Sequence, residues 1–158
     1  MAYISAENTK QIRSALKEVF KDTGIKFGVK KFGHSSVTVT LLEGPDFPTA
    51  REYCQRECTN GIGYYDVNPY WYRKNMLSIE CDIMDKVIEV IKIGSSRKYF
   101  DKSDIQADYH FKAFYFDITI GKFGKPYKCT NKMTLIEAVN KINNDVKYVA
   151  DEDLQEAA

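Results

Sequence analysis

The sequence predicts an α+β fold: a small, mostly antiparallel sheet of three to five strands packed with three or four helices. Three observations predict it. A 3.6-residue apolar period opens the chain, two-residue alternation follows at once over 26–41, and alternation returns over 109–120 after a helical and irregular middle.

The elements follow in order. Between Glu7 and Asp22 the apolar residues Ile12, Ala15, Leu16, Val19 and Phe20 recur at steps of three and four, with Lys10, Arg13, Lys17 and Lys21 facing away and Gly24 stopping the pattern. That is an amphipathic helix. Lys26 to Phe32 places Phe27, Val29 and Lys31 on one face, Ser35 to Leu41 does the same with Val37, Val39 and Leu41, and Gly33, His34 and Ser35 lie at the turn of the resulting hairpin. Gly44-Pro45 ends the hairpin, and Pro48 opens a second helix over Thr49 to Cys58, stopped by Asn60-Gly61. Ile62 to Asn75 crowds four tyrosines and Trp71 around Asn68-Pro69 and reads as a loop with aromatic anchors.

Ile83, Met84, Val87, Ile88 and Ile91 keep helical spacing for a third helix, although Val90, Lys92 and Ile93 would equally finish a strand. Gly94 to Asp108 is polar and irregular. A long half-buried strand is expected from Tyr109 to Ile120, with Phe114, Phe116, Ile118 and Ile120 on one face and Tyr115, Asp117 and Thr119 on the other. Gly121 and Gly124 bracket a turn, Pro126 to Thr130 reads as a short edge strand, and Thr134 caps a last helix, with Glu137 three residues on and Leu135, Ala138, Val139 and Ile142 inward. Residues 1–148 therefore read as a single domain and 149–158 as an acidic, frayed tail.

At 158 residues, one domain can bury roughly two thirds of its unfolded surface and needs no metal or disulfide to fold. The net charge of +1 excludes a global field of the kind that binds nucleic acid nonspecifically or imitates it. The charge is uneven, however, with seven Lys or Arg against three acids over 1–31 and five acids against one Lys over 145–158. Eleven tyrosines and nine phenylalanines can build a core, but tyrosine at the surface also offers rigid contact area with a polar tip, which suits interfaces. Cys54, Cys58, Cys81 and Cys129 read as reduced thiols in a cytosol, since there is no secretory apolar segment and no dense stapled spacing. No stretch approaches the ~20 apolar residues of a membrane span, so the chain is expected to be soluble.

Each candidate chemistry has a plainer reading beside it. Cys54 and Cys58 stand one helical turn apart, half of a tetrahedral zinc site, but Cys81, Cys129, His34 and His110 supply no close second pair, and no metal or cofactor is expected. A cysteine nucleophile would need His34 or His110, which read as turn and strand residues. Asp82, Asp85, Asp101, Asp104 and Asp108 single out no catalytic pair, and no dinucleotide or P-loop pattern is present. Gly121-Lys122-Phe123-Gly124-Lys125 lies between strands and reads as a turn. Aromatic residues mixed with basic ones remain, in Tyr70-Trp71-Tyr72-Arg73-Lys74 and Arg97-Lys98-Tyr99-Phe100; such clusters serve nucleic acids and protein interfaces alike.

Thr9-Lys10-Gln11-Ile12-Arg13-Ser14-Ala15-Leu16-Lys17, Ile25-Lys26-Phe27-Gly28-Val29-Lys30, Ser35-Ser36-Val37-Thr38-Val39 and Glu43-Gly44-Pro45 resemble the opening of a large polyvalent protein-associated domain, a family of phages and conjugative elements. Tyr115 to Tyr127 is similar to that family's closing strand and turn. The resemblance covers about two thirds of the chain and carries structural motifs only. It implies an α+β fold and a mobile-element origin, with no catalytic residues to transfer. The functional expectation is a non-enzymatic binding protein of the host cytoplasm, directed at a host protein or ribonucleoprotein complex such as a CRISPR or restriction system. Tyr64, Tyr65, Tyr70, Trp71, Tyr72, Arg73, Arg97 and Lys98 are its expected contact residues. The alternative is a nucleic-acid-binding accessory factor of replication or conjugation.

Overall fold

Helix α1 (Ala6–Val19) begins where Ser5 can cap it. The Asn8 amide donates to Ser5 Oγ at 3.0 Å and the Ser5 amide donates back to Asn8 Oδ1 at 3.2 Å, a reciprocal capping box. The buried stripe is the expected one: Ile12 and Leu16 are fully buried, and Phe20 caps the helix while stacking on Phe27 at 5.0 Å. This computed structural model describes residues 2–57, 63–103, 106, 112–130 and 132–142. The acidic tail, Cys58 and the Asn60-Gly61 stop lie outside them.

The hairpin forms as expected from β1 (Lys26–Phe32) and β2 (Ser36–Gly44), paired antiparallel with Val29 opposite Val39. Then come α2 (Pro48–Glu57), a three-residue strand β3 (Tyr65–Val67), the single turn α3 (Tyr72–Asn75) and α4 (Ser78–Ile93). The segment 62–75, expected as a loop, thus holds two short elements too brief for a period to reveal. The ambiguity at Val90 resolves to helix, because Val90 and Ile91 continue the buried stripe and the Gly94 amide donates to Val90 O at 2.7 Å.

β4 (Tyr115–Ile120) is shorter than the expected strand from Tyr109. Residues 107–111 lie outside the described set, and the backbone of 112–114 is taken by other segments: Tyr3 N donates to Ala113 O and Ala113 N donates to Phe100 O, each at 2.9 Å, while Lys112 bridges to Asp101. β4 pairs with β2 in parallel, Val39 beside Ile118, through the crossover that contains α4. β3 pairs antiparallel with β4, and β5 (Lys128–Cys129) continues the β4 side along the end of β2. The five-stranded sheet, in the order β1-β2-β4-β3 with β5 on β2, is mostly antiparallel with a parallel centre, and the fold is α+β. Residues 135–142 are helical, with the Glu137 amide donating to Thr134 Oγ1 at 3.2 Å as the cap predicts.

One core lies on one face of the sheet. Val29, Val37, Val39, Leu41, Ile118 and Ile120 point into it from the strands, and α1, α4 and residues 135–142 cover it with Leu16, Ile83, Met84, Val87, Ala138 and Ile142. Glu80 is fully buried there: its carboxylate accepts from Leu77 N at 2.8 Å, Thr49 N at 3.2 Å and Thr49 Oγ1 at 2.6 Å, joining the starts of α2 and α4. Both helix starts are positive dipole ends, which is why a carboxylate is tolerated in that place. No described helix is long and apolar enough to cross a membrane.

Candidate binding surface

The residues that alternate with the core set point the other way, onto a face that no described helix covers. In register across β1, β2 and β4 they form rows: Phe32–Ser36–Tyr115, then Lys30–Thr38–Asp117, then Gly28–Thr40–Thr119, with Asp66 on β3 beside Thr119. Thr119 Oγ1 and Thr40 Oγ1 are 3.2 Å apart and form the floor. A groove of about 690 Å³ runs over this floor and includes Gly28, Lys30, Phe32, Thr38 and Leu42. Phe32 is 76% exposed, an unusual position for a phenylalanine in a regular strand.

The far wall of the groove is the turn after β4. Lys122 and Lys125 exchange both backbone hydrogen bonds, at 3.0 and 2.9 Å, around Phe123 and Gly124, whose φ of +79° suits glycine. Phe123 is carried at the tip and is 77% exposed. The turn is held close: a Cβ on Gly121, at φ +80°, would lie 2.7 Å from Tyr127 N. Tyr127 in turn donates to Pro45 O at 2.6 Å, and burial pushes its hydroxyl up. Lys30, Lys122 and Lys125 line this groove, Lys31 borders it from the edge strand at a position in phase with the core residue Val29, and none of the four is paired with a carboxylate of the described residues.

At the opposite corner, where β3 ends and β4 begins, lies a second cavity of about 260 Å³. Lys112 Nζ sits 2.8 Å from Tyr70 Oη and 3.8 Å from Asp101 Oδ2, and stands over the Tyr70 and Tyr115 rings at 5.4 and 5.3 Å. The hydrogen bond to Tyr70 is the main cause that holds the ammonium above its ordinary value. Burial, then Tyr70 and Asp101, push the Tyr99 hydroxyl up. Asp66 and Asp117 also line this cavity, and the Asp66 carboxyl is raised by loss of water first and by Asp117 second.

The eight residues expected from the sequence do not form one patch. Tyr64 stands at the edge of the basic groove, 40% exposed, whereas its neighbour Tyr65 points to the helix side and packs edge-on against Tyr53 at 5.4 Å. Tyr70 belongs to the Lys112 cavity. Trp71 is exposed, with Lys74 Nζ 4.6 Å over its ring. Tyr72 and Arg73 both bind Asp85 of α4, Arg73 at 2.6 Å, so they fasten α3. Arg97 lies 3.8 Å over the Tyr3 ring and donates to Ala113 O at 3.1 Å, and Lys98 donates to Ile93 O at 2.6 Å; both tie down the segment after α4.

Two residues of the open face carry a signal in the sequence. Phe32 alternates out of phase with Val29, and Phe123 is an apolar residue in a turn between two lysines; either departure from the core pattern marks a surface aromatic. Among the described residues no three His, Cys, Asp or Glu side chains group as metal ligands. Burial pushes the Cys81 thiol up, and its sulfur lies 3.7 Å from Met76 O. Comparisons of the chain with known protein families, with curated protein sequences and with solved structures return no match.

Proposed function

We propose that this chain is a non-enzymatic binding protein that takes single-stranded nucleic acid on the face of its sheet that no described helix covers. One observation carries the reading: two phenylalanines three quarters exposed, Phe32 and Phe123, stand in one groove with four lysines that pair with no carboxylate among the described residues. Exposed rings offer stacking to unpaired bases, the ammonium groups neutralise phosphates beside them, and a flat sheet lets several bases lie side by side. A duplex would present stacked, unavailable bases to the same rings.

The test is fluorescence anisotropy with a labelled oligothymidine. Four lysines contacting four phosphates give a salt slope of about −2.8, so affinity falls about 50-fold between 50 and 200 mM salt. Phe32→Ala and Phe123→Ala each weaken binding about 10-fold, the worth of one stacked base, whereas Trp71→Ala leaves it unchanged. Binding that ignores both phenylalanines sinks the reading.

A second reading, a host protein or ribonucleoprotein complex held through Tyr70 and Trp71, is supported by their exposure of 66% and 53% next to the cationic Lys74 and Lys112. The family resemblance supports the setting of that reading, a phage or conjugative element acting on a defence complex in the host cytoplasm. Loss of partner capture in a folded Trp71→Ala variant, with oligothymidine affinity intact, is its signature.

A further inference from the structure

We infer that the cavity at the β3–β4 corner is a base-reading pocket for guanine, resting on the single-strand reading above. The open face is electrostatically divided. Its groove is lined with lysines, while the cavity at the opposite corner presents Asp66 and Asp117 together with the single cation Lys112. Carboxylates repel phosphate, so a strand whose backbone follows the lysines can place only a base edge against these two acids.

The edge that fits is set by donors and acceptors. Asp66 lies opposite Thr119 on the paired strand, which makes Asp117 its diagonal neighbour on the same face, with Cβ atoms about 7 Å apart. Ionised carboxylates only accept hydrogen bonds, and they are the stronger partners for N–H groups. Lys112 supplies the opposite chemistry at the same cavity, with three N–H donors of which one is given to Tyr70, while Asp101 stands at ion-pair distance. Two acceptors beside one donor match guanine: N1–H and the N2 amino group donate to the carboxylates, and O6 accepts from Lys112. Adenine and cytosine present one amino group next to a bare ring nitrogen, and thymine a single N–H between two carbonyls, so each leaves a carboxylate without a partner.

The walls suit a flat ring. Tyr70 and Tyr115 flank Lys112, and Tyr99 backs the cavity, fixed edge-on to Phe114 and Phe116 at 5.4 and 5.5 Å. Tyr115 belongs to the same row as Phe32, and Asp117 to the row of Lys30, two strand spacings or about 10 Å away. A strand stacked on Phe32 therefore reaches the pocket without leaving the sheet.

The experiment compares oligothymidine with the same oligomer carrying one central guanine, adenine, cytosine or inosine. One guanine strengthens binding about 10-fold, and adenine and cytosine do not. Inosine, which lacks the N2 amino group, recovers only part of the gain. The Asp66→Asn/Asp117→Asn variant, both positions being exposed, loses the guanine preference, while its affinity for oligothymidine does not fall and rises slightly as two negative charges leave the face. Oligothymidine bound with no preference for guanine overturns the pocket assignment alone; no binding of any oligomer overturns the single-strand reading as well. An arginine-containing peptide that binds and is lost in the double variant, without base preference in the oligomers, overturns the assignment in favour of a cationic side chain.

Discussion

The two faces of the β2–β4 pair are made from interleaved residues of the same strands, yet they differ in almost every respect. One face buries Val37, Val39, Leu41, Ile118 and Ile120 under helices. The other presents Thr38, Thr40, Thr119 and Asp117 with Phe32 and Phe123 standing clear of them. The difference teaches where stability and binding reside: a covered face is selected for volume, an open one for what it can touch. Ile118 and Phe123, five positions apart, test the division most severely. Ile118→Ala removes a fully buried side chain and lowers unfolding free energy by about 3 kcal/mol, read by urea denaturation. Phe123→Ala, although it deletes the larger side chain, stays within about 0.5 kcal/mol. A large loss at Phe123 would mean that something in the folded chain covers the open face.

The covered face was the legible one. Its apolar residues repeat over long runs, so α1, the hairpin, β4 and the capped helix after Thr134 could be read from period alone. What escaped were features fixed by partners distant in sequence. β3 is three residues long and exists because β4 offers it an edge, and the parallel alignment of β2 with β4 depends on where the α4 crossover lands. Glu80 stands before the expected third helix with nothing in the sequence to mark it, and the arrival of Thr49 makes it a buried joint. The aromatic-basic clusters are likewise divided by partners distant in sequence. Composition marks Tyr72, Arg73, Arg97 and Lys98 as sticky, but Asp85, Tyr3, Ala113 and Ile93 already hold them, while the open face is assembled from residues scattered between Lys30 and Lys125.

Two polar groups sharpen the comparison, because Tyr72 on the helix side gives its hydroxyl to Asp85, whereas Asp66 on the open face stands beside the like-charged Asp117. The Tyr72 hydroxyl is pushed up to about 12 from its ordinary 10.0, by burial first and then by donating to Asp85. A folded value above the unfolded one means that the protonated hydroxyl stabilises the fold. Its contribution is complete below pH 10, declines between pH 10 and about 12 and is absent above that. Tyr72→Phe therefore costs about 1 kcal/mol at pH 7, a charged-acceptor hydrogen bond discounted for partial exposure, and the gap to the unaltered protein narrows as the medium becomes strongly alkaline. An equal gap at all pH values would show that Asp85 is held by Arg73 alone.

The smallest effect belongs to the open face and has the opposite sign. Loss of water at the sheet surface, and then the neighbouring Asp117, raise the Asp66 carboxyl above its ordinary 3.8. Ionisation is thus harder in the folded chain than in the unfolded one. The resulting penalty is absent below pH 3.8, grows as pH rises through the folded value and is complete above it. Asp66→Asn keeps the shape and removes the charge, so it raises the thermal midpoint at pH 7 by about 1 °C and changes nothing at pH 3. A lower midpoint at pH 7 would reveal a cation already holding Asp66 in the folded chain. The acidic corner would then be part of the scaffold, and the contrast between a face that holds the fold and a face left to bind would end at β4.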